Sequence, residues 1–110
     1  MAKALDFNNI KKRYLPVTLA DEHKTVLLIG TPTKSVFDTL LNMKDSLEGD
    51  NLSDDAVDEL YDVCARIMSR NKAGKVITKQ TLQDIFDFED IIIFIHAYTE
   101  FISEVTNAKN

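Results

Sequence analysis

The hydrophobic positions begin with a short, strand-like period. From Tyr14 to Ile29, two apolar runs flank the polar stretch Ala20 to Lys24. Two such runs joined by a polar turn predict a β-hairpin over about residues 14–29. Pro16 has no N–H to donate, so the first strand is expected to lie at a sheet edge or to begin near that residue. Since two strands alone are marginal in water, we expect the hairpin to pack against helices of its own chain.

Beyond Gly30 the hydrophobic spacing becomes helical. Apolar residues recur at intervals of three and four, which places them on one face of an α-helix. We therefore predict a mainly α fold with a minor β component, in which a small bundle of about four helices follows the N-terminal β-hairpin. The whole chain, residues 1–110, is predicted to form a single domain. The predicted helices cover about residues 34–48, 54–71, 79–86 and 88–105.

Local signals mark the beginnings of the last two helices. Thr78 or Thr81 can cap the third helix, because a threonine hydroxyl accepts a backbone N–H of the first turn. Asp87 can cap the fourth helix in the same way. Asp90, three positions later, strengthens that start.

The last helix carries more apolar surface than one core contact requires. Beyond its predicted core face, Ile92, Ile93, Ala97 and Phe101 extend the apolar surface around the helix. A helix that is apolar over most of its circumference is either buried on several sides or shared with a partner. The predicted core face consists of Ile91, Phe94, Ile95, Tyr98, Ile102 and Val105. The partner-binding candidates, each of which can equally belong to the core, are Phe88, Ile92, Ile93 and Phe101.

Composition fits a folded protein with little general affinity for polyanions. Hydrophobic residues make up 45% of the chain, which is too apolar for intrinsic disorder. The 18 acidic and 13 basic residues give a formal charge of -5, which repels nucleic acid unless cations cluster on one face. The single cysteine, Cys64, follows a helical apolar pattern and is expected to be buried in a protein of a reducing compartment. Because the N-terminus lacks a signal-peptide pattern and the apolar run Ile91 to Ile95 is too short to span a bilayer, we expect a cytoplasmic location.

Few residues could support catalysis or ligand binding. His23 lies in the predicted turn, and His96 lies in the apolar last helix, where Glu100 shares its face and a structural role is favoured. One cysteine and no spaced ligand pair argue against a zinc site. The glycines form no phosphate-binding cluster. We therefore expect no enzymatic activity, no catalytic residues, no metal and no cofactor.

Two charged clusters are considered as binding surfaces. Asp54, Asp58, Glu59 and Asp62 lie together on the second helix and are interpreted as a solvated acidic face, with docking of a basic partner as the alternative. A basic cluster near the end of that helix, within a helix–turn–helix order, allows a small DNA-binding protein. The following helix carries few cations, which disfavours that function. The cluster consists of Arg66, Arg70, Lys72, Lys75 and Lys79.

Several segments of the chain resemble one protein family. They are Ile67 to Lys72, Ile77 to Lys79, Phe86 to Asp90 and Phe101 to Val105, together with the hairpin followed by Gly30 to Lys34. In this order they resemble the tail assembly chaperones of long-tailed, siphovirus-like phages and prophages of Gram-positive bacteria. The resemblance covers roughly Phe7 to Val105. It consists of a pattern of apolar positions more than of invariant residues.

The resemblance implies a small, mainly helical, non-enzymatic protein of the host cell cytoplasm. Such a protein binds and solubilises the aggregation-prone tape-measure protein during tail assembly and is absent from the mature virion. The family often makes a second, longer product by ribosomal frameshifting, whose extra domain recruits the tail-tube protein. We expect the client's amphipathic helices to contact the surplus apolar surface of the last helix, while acidic surroundings keep the complex soluble.

Two other functions stay open at this point. One is a structural component of a phage neck or tail that is retained in the virion and uses the edge of its hairpin to pair with neighbouring strands. The other is the small regulatory DNA-binding protein. The sequence also leaves open whether the chain forms a homo-oligomer.

Overall fold

The chain folds as an antiparallel hairpin followed by helices. The structure, a computed structural model, describes residues 12–48 and 54–107. The prediction of a mainly α fold with a minor β component is confirmed. In chain order the elements are β1 (Leu15–Thr18), β2 (Val26–Ile29), α1 (Lys34–Glu48), α2 (Asp54–Met68), α3 (Lys79–Ile85) and α4 (Phe88–Asn107).

One carboxylate organises the turn of the hairpin. Asp21 accepts the backbone N–H of Thr25 at 2.9 Å and the hydroxyl of Thr25 at 2.7 Å. Leu19 donates its N–H to the carbonyl oxygen of Thr25 at 2.8 Å, and at the open end Leu15 lies opposite Ile29. The side-chain hydrogen bond from Thr25 is the main reason that the pKa of Asp21 lies below its ordinary value. The turn therefore contributes to the strand register.

This register decides which backbone groups of β1 face outward. Because Leu19 is bonded across the hairpin and bonded positions alternate in an antiparallel pair, Pro16 and Thr18 direct their backbone groups away from β2. Pro16 has no N–H and so suits that outer edge, as the sequence predicts. The outer edge of β2 is partly covered, since Lys72 donates its N–H to the carbonyl oxygen of Leu28 at 2.9 Å.

The hairpin packs against helices of its own chain. Leu27 and Ile29 are buried on the inner face of the sheet and belong to the hydrophobic core. Gly30 donates its N–H to the carbonyl oxygen of Arg70 at 2.9 Å, just beyond α2. The hydroxyl of Tyr98 on α4 donates to the carbonyl oxygen of Gly30 at 2.8 Å. The end of β2 is therefore tied to both helices.

The helix α2 is the central element of the core. It contacts α1, α3, α4 and β2. Its acidic first turn complements the positive end of the helix dipole, and Arg66 lies in its last turn. Cys64 is fully buried, as its helical pattern predicts. The largest fully buried side chains are Tyr98, Ile29, Leu60, Ile67, Met68, Leu82, Ile91, Val63 and Cys64.

The helix α2 ends at Met68, earlier than the predicted limit at residue 71. Arg70 and Asn71 leave the helix because their backbone meets the sheet instead. The carbonyl oxygen of Arg70 accepts the N–H of Gly30, and Asn71 forms an isolated bridge with Ile29. The helical spacing of apolar residues cannot reveal this competing partner, since it lies about forty positions earlier in the chain.

The predicted caps are present at the last two helices. At α3 the hydroxyl of Thr78 accepts the N–H of Thr81 at 3.1 Å, so Thr78 is the capping residue. At α4, Asp87 accepts the N–H of Asp90 at 2.8 Å and Asp90 accepts the N–H of Asp87 at 3.0 Å. This reciprocal pair satisfies two N–H groups that the helix itself leaves unpaired. The helix α4 extends to Asn107, slightly beyond the predicted limit.

Asn71 closes the connection between α2 and α3. Its side-chain amide donates to the carbonyl oxygens of Met68 at 2.8 Å and Lys75 at 2.7 Å, and its Oδ1 accepts the N–H of Lys75 at 2.9 Å. Gly74 has a φ of 72° and donates its N–H to the carbonyl oxygen of Asn71 at 3.0 Å. The left-handed backbone at this position suits glycine.

We predict that Asn71→Ala lowers the free energy of unfolding by about 2–4 kcal/mol, because it leaves partly or fully buried backbone groups without partners. Urea denaturation at neutral pH measures the change. Asn42→Ala, at an exposed site in α1, is the matched control and should change stability by less than about 0.5 kcal/mol. A loss below about 1 kcal/mol for Asn71→Ala would contradict the structural role of this side chain.

We also predict that stability falls at alkaline pH. Burial raises the pKa of the Cys64 thiol from 9.0 to about 12, and it raises the pKa values of the Tyr61 and Tyr98 hydroxyls above their ordinary 10.0. The folded state therefore holds these protons more tightly than the unfolded chain does. This difference makes its full contribution to the free energy of unfolding at a pH below the pKa values of the unfolded chain. The contribution is lost as the pH rises above those values.

The urea midpoint measured across the alkaline range tests this expectation, with Cys64→Ala as the comparison. The variant should lose less stability between about pH 8 and about pH 11 than the unchanged chain, even if it is less stable at neutral pH. Equal pH dependence of the two chains would show that the thiol does not contribute.

Candidate functional site

A groove with mostly apolar walls runs between β1 and α4. Its volume is about 280 Å³. One wall is the outer part of β1, and the other is the outward side of the N-terminal half of α4. We call it the β1–α4 groove, and its apolar walls include Leu15, Pro16, Val17, Ile93, Phe94 and Ala97.

The structure places the partner-binding candidates in different environments. Ile93 is 60% exposed and lines the β1–α4 groove. Ile92 is half-buried. Phe88 is partly buried and packs against the core. Of these candidates, Ile93 alone is among the residues that line this groove.

Phe101 belongs to the core, which is the alternative that the sequence leaves open for each candidate. Its side chain is only 7% exposed, and its ring centroid lies 6.0 Å from that of Tyr98. Phe94 also stacks with Tyr98, with ring centroids 5.7 Å apart. Residues at positions 94, 98 and 101 share one helix face through the three-and-four spacing, and that face points inward.

Sequence reasoning missed the strand side of the groove. Leu15 and Val17 belong to the predicted first strand, and in the structure they are half-buried, pack against the core and line the groove. Ala97 appears in the sequence as surplus apolar surface, and it is exposed on the groove wall. The alternation of β1 gives no sign that its outer side faces α4, because that placement depends on the packing of the whole hairpin.

The outward face of the sheet adds a second exposed apolar area. Val26 is 58% exposed and Leu28 is 38% exposed. They lie opposite Thr18 and Pro16 in the strand register. Since side chains alternate between the faces of a strand, these residues point away from the buried Leu27.

A second groove lies at the opposite end of α4. It has a volume of about 370 Å³ and lies between the segment that leads into α1 and the last turns of α4. Pro32, Phe37, Ile102 and Val105 supply its apolar lining, and each is half-buried. None of the four partner-binding candidates lines this groove.

Part of the acidic face of α2 is engaged within the protein. Asp58 accepts hydrogen bonds from Lys79 at 2.8 Å and from Gln83 at 3.2 Å, both on α3. The hydrogen bond from Lys79 to Asp58 raises the pKa of that lysine. Asp62 pairs with Arg66 at 2.9 Å on α2 itself. These contacts favour the interpretation of the acidic face as a solvated surface, part of which holds α3. They disfavour its use as a docking surface for a basic partner.

The basic cluster predicted from the sequence is divided between two sites. Arg66 and Lys79 form ion pairs with the acidic face of α2. Arg70 instead donates from Nε to the carbonyl oxygen of Thr31 at 3.0 Å, near the end of β2. This division gives no continuous basic face on α3, which is the helix that a helix–turn–helix protein would use to contact DNA.

The described residues present no metal-binding cluster and no reactive thiol. Within residues 12–48 and 54–107, no group of three or more histidine, cysteine, aspartate or glutamate side chains could hold a metal ion. The thiol of Cys64 is buried and has a raised pKa, which disfavours the reactive thiolate. His96 is exposed on α4. In the same part of the chain, no helix combines the length and apolarity that crossing a membrane requires.

The β1–α4 groove is therefore the best candidate for a binding site in the described structure. It combines apolar walls and an exposed isoleucine with a strand whose outer edge pairs with no other described strand. Comparisons of the chain with family models, with curated proteins and with solved structures find no match.

Proposed function

We propose that this chain is a phage tail assembly chaperone that binds and solubilises the tape-measure protein during tail assembly, without enzymatic activity. The observation that carries the proposal is the exposure of Ile93 on the wall of the β1–α4 groove. Apolar surface arranged around a groove is typical of a site that receives apolar side chains of a partner. The resemblance of the sequence to tail assembly chaperones supplies the identity of that partner.

The groove suits individual side chains of an amphipathic helix. A volume of about 280 Å³ can hold anchoring side chains, while the rest of the client helix lies across the rim. Full burial of one aliphatic side chain contributes about 1.5–3 kcal/mol, so a single contact is weak. A long client with repeated amphipathic segments would bind many copies of the chaperone. Such weak, repeated contacts protect the client and still allow release when the tail tube assembles.

Acidic residues near one end of the groove support solubility. Asp90 lines the groove, and Asp87 is exposed one turn earlier. Glu89 is exposed beside them. With the formal charge of -5, these residues would keep a complex with an aggregation-prone client in solution. They also favour client segments that carry lysine or arginine beside their apolar anchors.

A structural component of a phage neck or tail is the second candidate function. The outer edge of β1 favours it, because the carbonyl oxygen of Pro16 and the backbone groups of Thr18 face away from β2. A strand from a neighbouring subunit could pair there. Mass spectrometry of purified virions separates the two functions, since the chaperone leaves before maturation and a structural component stays.

We predict that Ile93→Gln reduces the amount of soluble tape-measure protein recovered on co-expression by about tenfold, since one buried aliphatic contact is lost from each complex. Its melting temperature should match that of the unchanged chain, because Ile93 makes little contact with the core. Leu41→Gln is the matched control, because Leu41 is 44% exposed on α1 and does not line the groove. It should leave client recovery unchanged.

Phe101→Ala supplies the contrast between core and surface. It should lower the free energy of unfolding by about 3–5 kcal/mol through loss of packing around Tyr98.

Full client recovery with a correctly folded Ile93→Gln variant would refute the role of the groove. Equal losses with the Ile93 and Leu41 variants would refute it as well.

A further inference from the structure

Three segments that are distant in sequence line an open, polar cavity near the end of α2. Its volume is about 300 Å³, and residues 12, 14, 30–31 and 70–72 line it. Three of the lining side chains are cations, Lys12, Arg70 and Lys72. We call this cavity the Lys12–Arg70–Lys72 pocket. It lies apart from the β1–α4 groove and shares no lining residue with it.

The backbone around the pocket is held by hydrogen bonds. The N–H of Gly30 donates to the carbonyl oxygen of Arg70 at 2.9 Å, and the N–H of Lys72 donates to that of Leu28 at 2.9 Å. The carbonyl oxygen of Asn71 accepts the N–H of Gly74 at 3.0 Å. The carbonyl oxygens of Arg70 and Asn71, which would repel an anion, are therefore both engaged. Arg70 and Lys72 therefore extend from a backbone that hydrogen bonds hold in place.

Two of the cations have a defined orientation. Arg70 donates from Nε to the carbonyl oxygen of Thr31 at 3.0 Å, which positions the guanidinium group and leaves its terminal nitrogens for a ligand. The Nζ of Lys72 lies 5.8 Å from the centroid of the Tyr14 ring, within the range of a cation–π interaction. Tyr14 itself lines the pocket and presents an aromatic surface beside the charges.

No carboxylate of the described residues lines this pocket. The ion pairs that the described residues form lie elsewhere, at Lys34 with Asp38, Arg66 with Asp62 and Lys79 with Asp58. Three cations that share one concave site repel one another, and an anion between them removes that repulsion. Such a concentration of positive charge is unexpected in a chain with a formal charge of -5.

We propose that the Lys12–Arg70–Lys72 pocket binds a phosphate group. A phosphate dianion matches three cations better than a carboxylate monoanion does. The planar guanidinium of Arg70 can contact two phosphate oxygens at once, while the ammonium groups of Lys12 and Lys72 supply point charges. The ligand is either free phosphate or the phosphate of a nucleotide, whose base could stack on Tyr14. This proposal is independent of the chaperone function.

Proton–nitrogen NMR titrations of the full chain test the proposal at constant ionic strength. The probes are inorganic phosphate, adenosine monophosphate and, as the carboxylate control, acetate. Phosphate should cause saturable shifts of the Gly30, Thr31 and Asn71 amides, and acetate should cause at most weak, non-saturating shifts. Additional shifts of the Tyr14 ring protons with the nucleotide, followed in proton–carbon spectra, together with tighter binding, would identify a nucleotide as the preferred source of the phosphate.

Lys12→Met and Lys72→Met should each weaken phosphate binding by at least about fivefold, because each removes one charge from the site. Neither side chain belongs to the core, so both variants should fold. Lys34→Met, which removes an exposed lysine outside the pocket, should leave the affinity unchanged. Absence of saturable shifts at these amides, equal binding of acetate and phosphate, or unchanged affinity in both pocket variants would each overturn the proposal.

Discussion

The backbone pairing between the end of β2 and the residues after α2 is the contact on which the rest of the structure depends. Gly30 donates to Arg70 and Lys72 donates to Leu28, so the chain after α2 covers the edge of β2 like a short third strand. An isolated two-stranded hairpin is marginal in water. Here the pairing holds it on α2 and allows Leu27 and Ile29 to be buried. Among the described strands, it leaves the outer edge of β1 without a partner.

This arrangement determines what the apolar last helix can do. One side of α4 supplies buried side chains, including Ile91 and Tyr98, to the core. Another side faces the outer part of β1 and remains open at Ile93 and Ala97. The same helix therefore completes the core and forms one wall of a groove. The surplus of apolar residues in its sequence therefore serves both the core, where Phe101 is buried, and the surface, where Ile93 is exposed.

Charge is distributed unevenly along α2. Aspartates of the first turns are exposed, and Asp58 uses its carboxylate to hold α3 through Lys79. Beyond the other end of the helix, Arg70 and Lys72 join Lys12 around a polar pocket. The formal charge of -5 is a sum over the whole chain and does not reveal this local concentration of cations. The hairpin therefore borders two kinds of surface, an apolar one along β1 and a cationic one at its open end.

The sequence by itself determined the hairpin, the helices and the caps at Thr78 and Asp87. These features depend on the spacing of apolar residues and on hydrogen bonds between positions three or four apart. Only the tertiary structure decided where α2 ends, because a strand formed much earlier in the chain competes for its last residues. It also decided that Phe101 is buried and Ile93 is exposed, and it assembled both the groove and the pocket. Each of those sites is formed by segments that come together only after the hairpin has packed against the helices. The spacing of neighbouring residues does not show which distant segments come together.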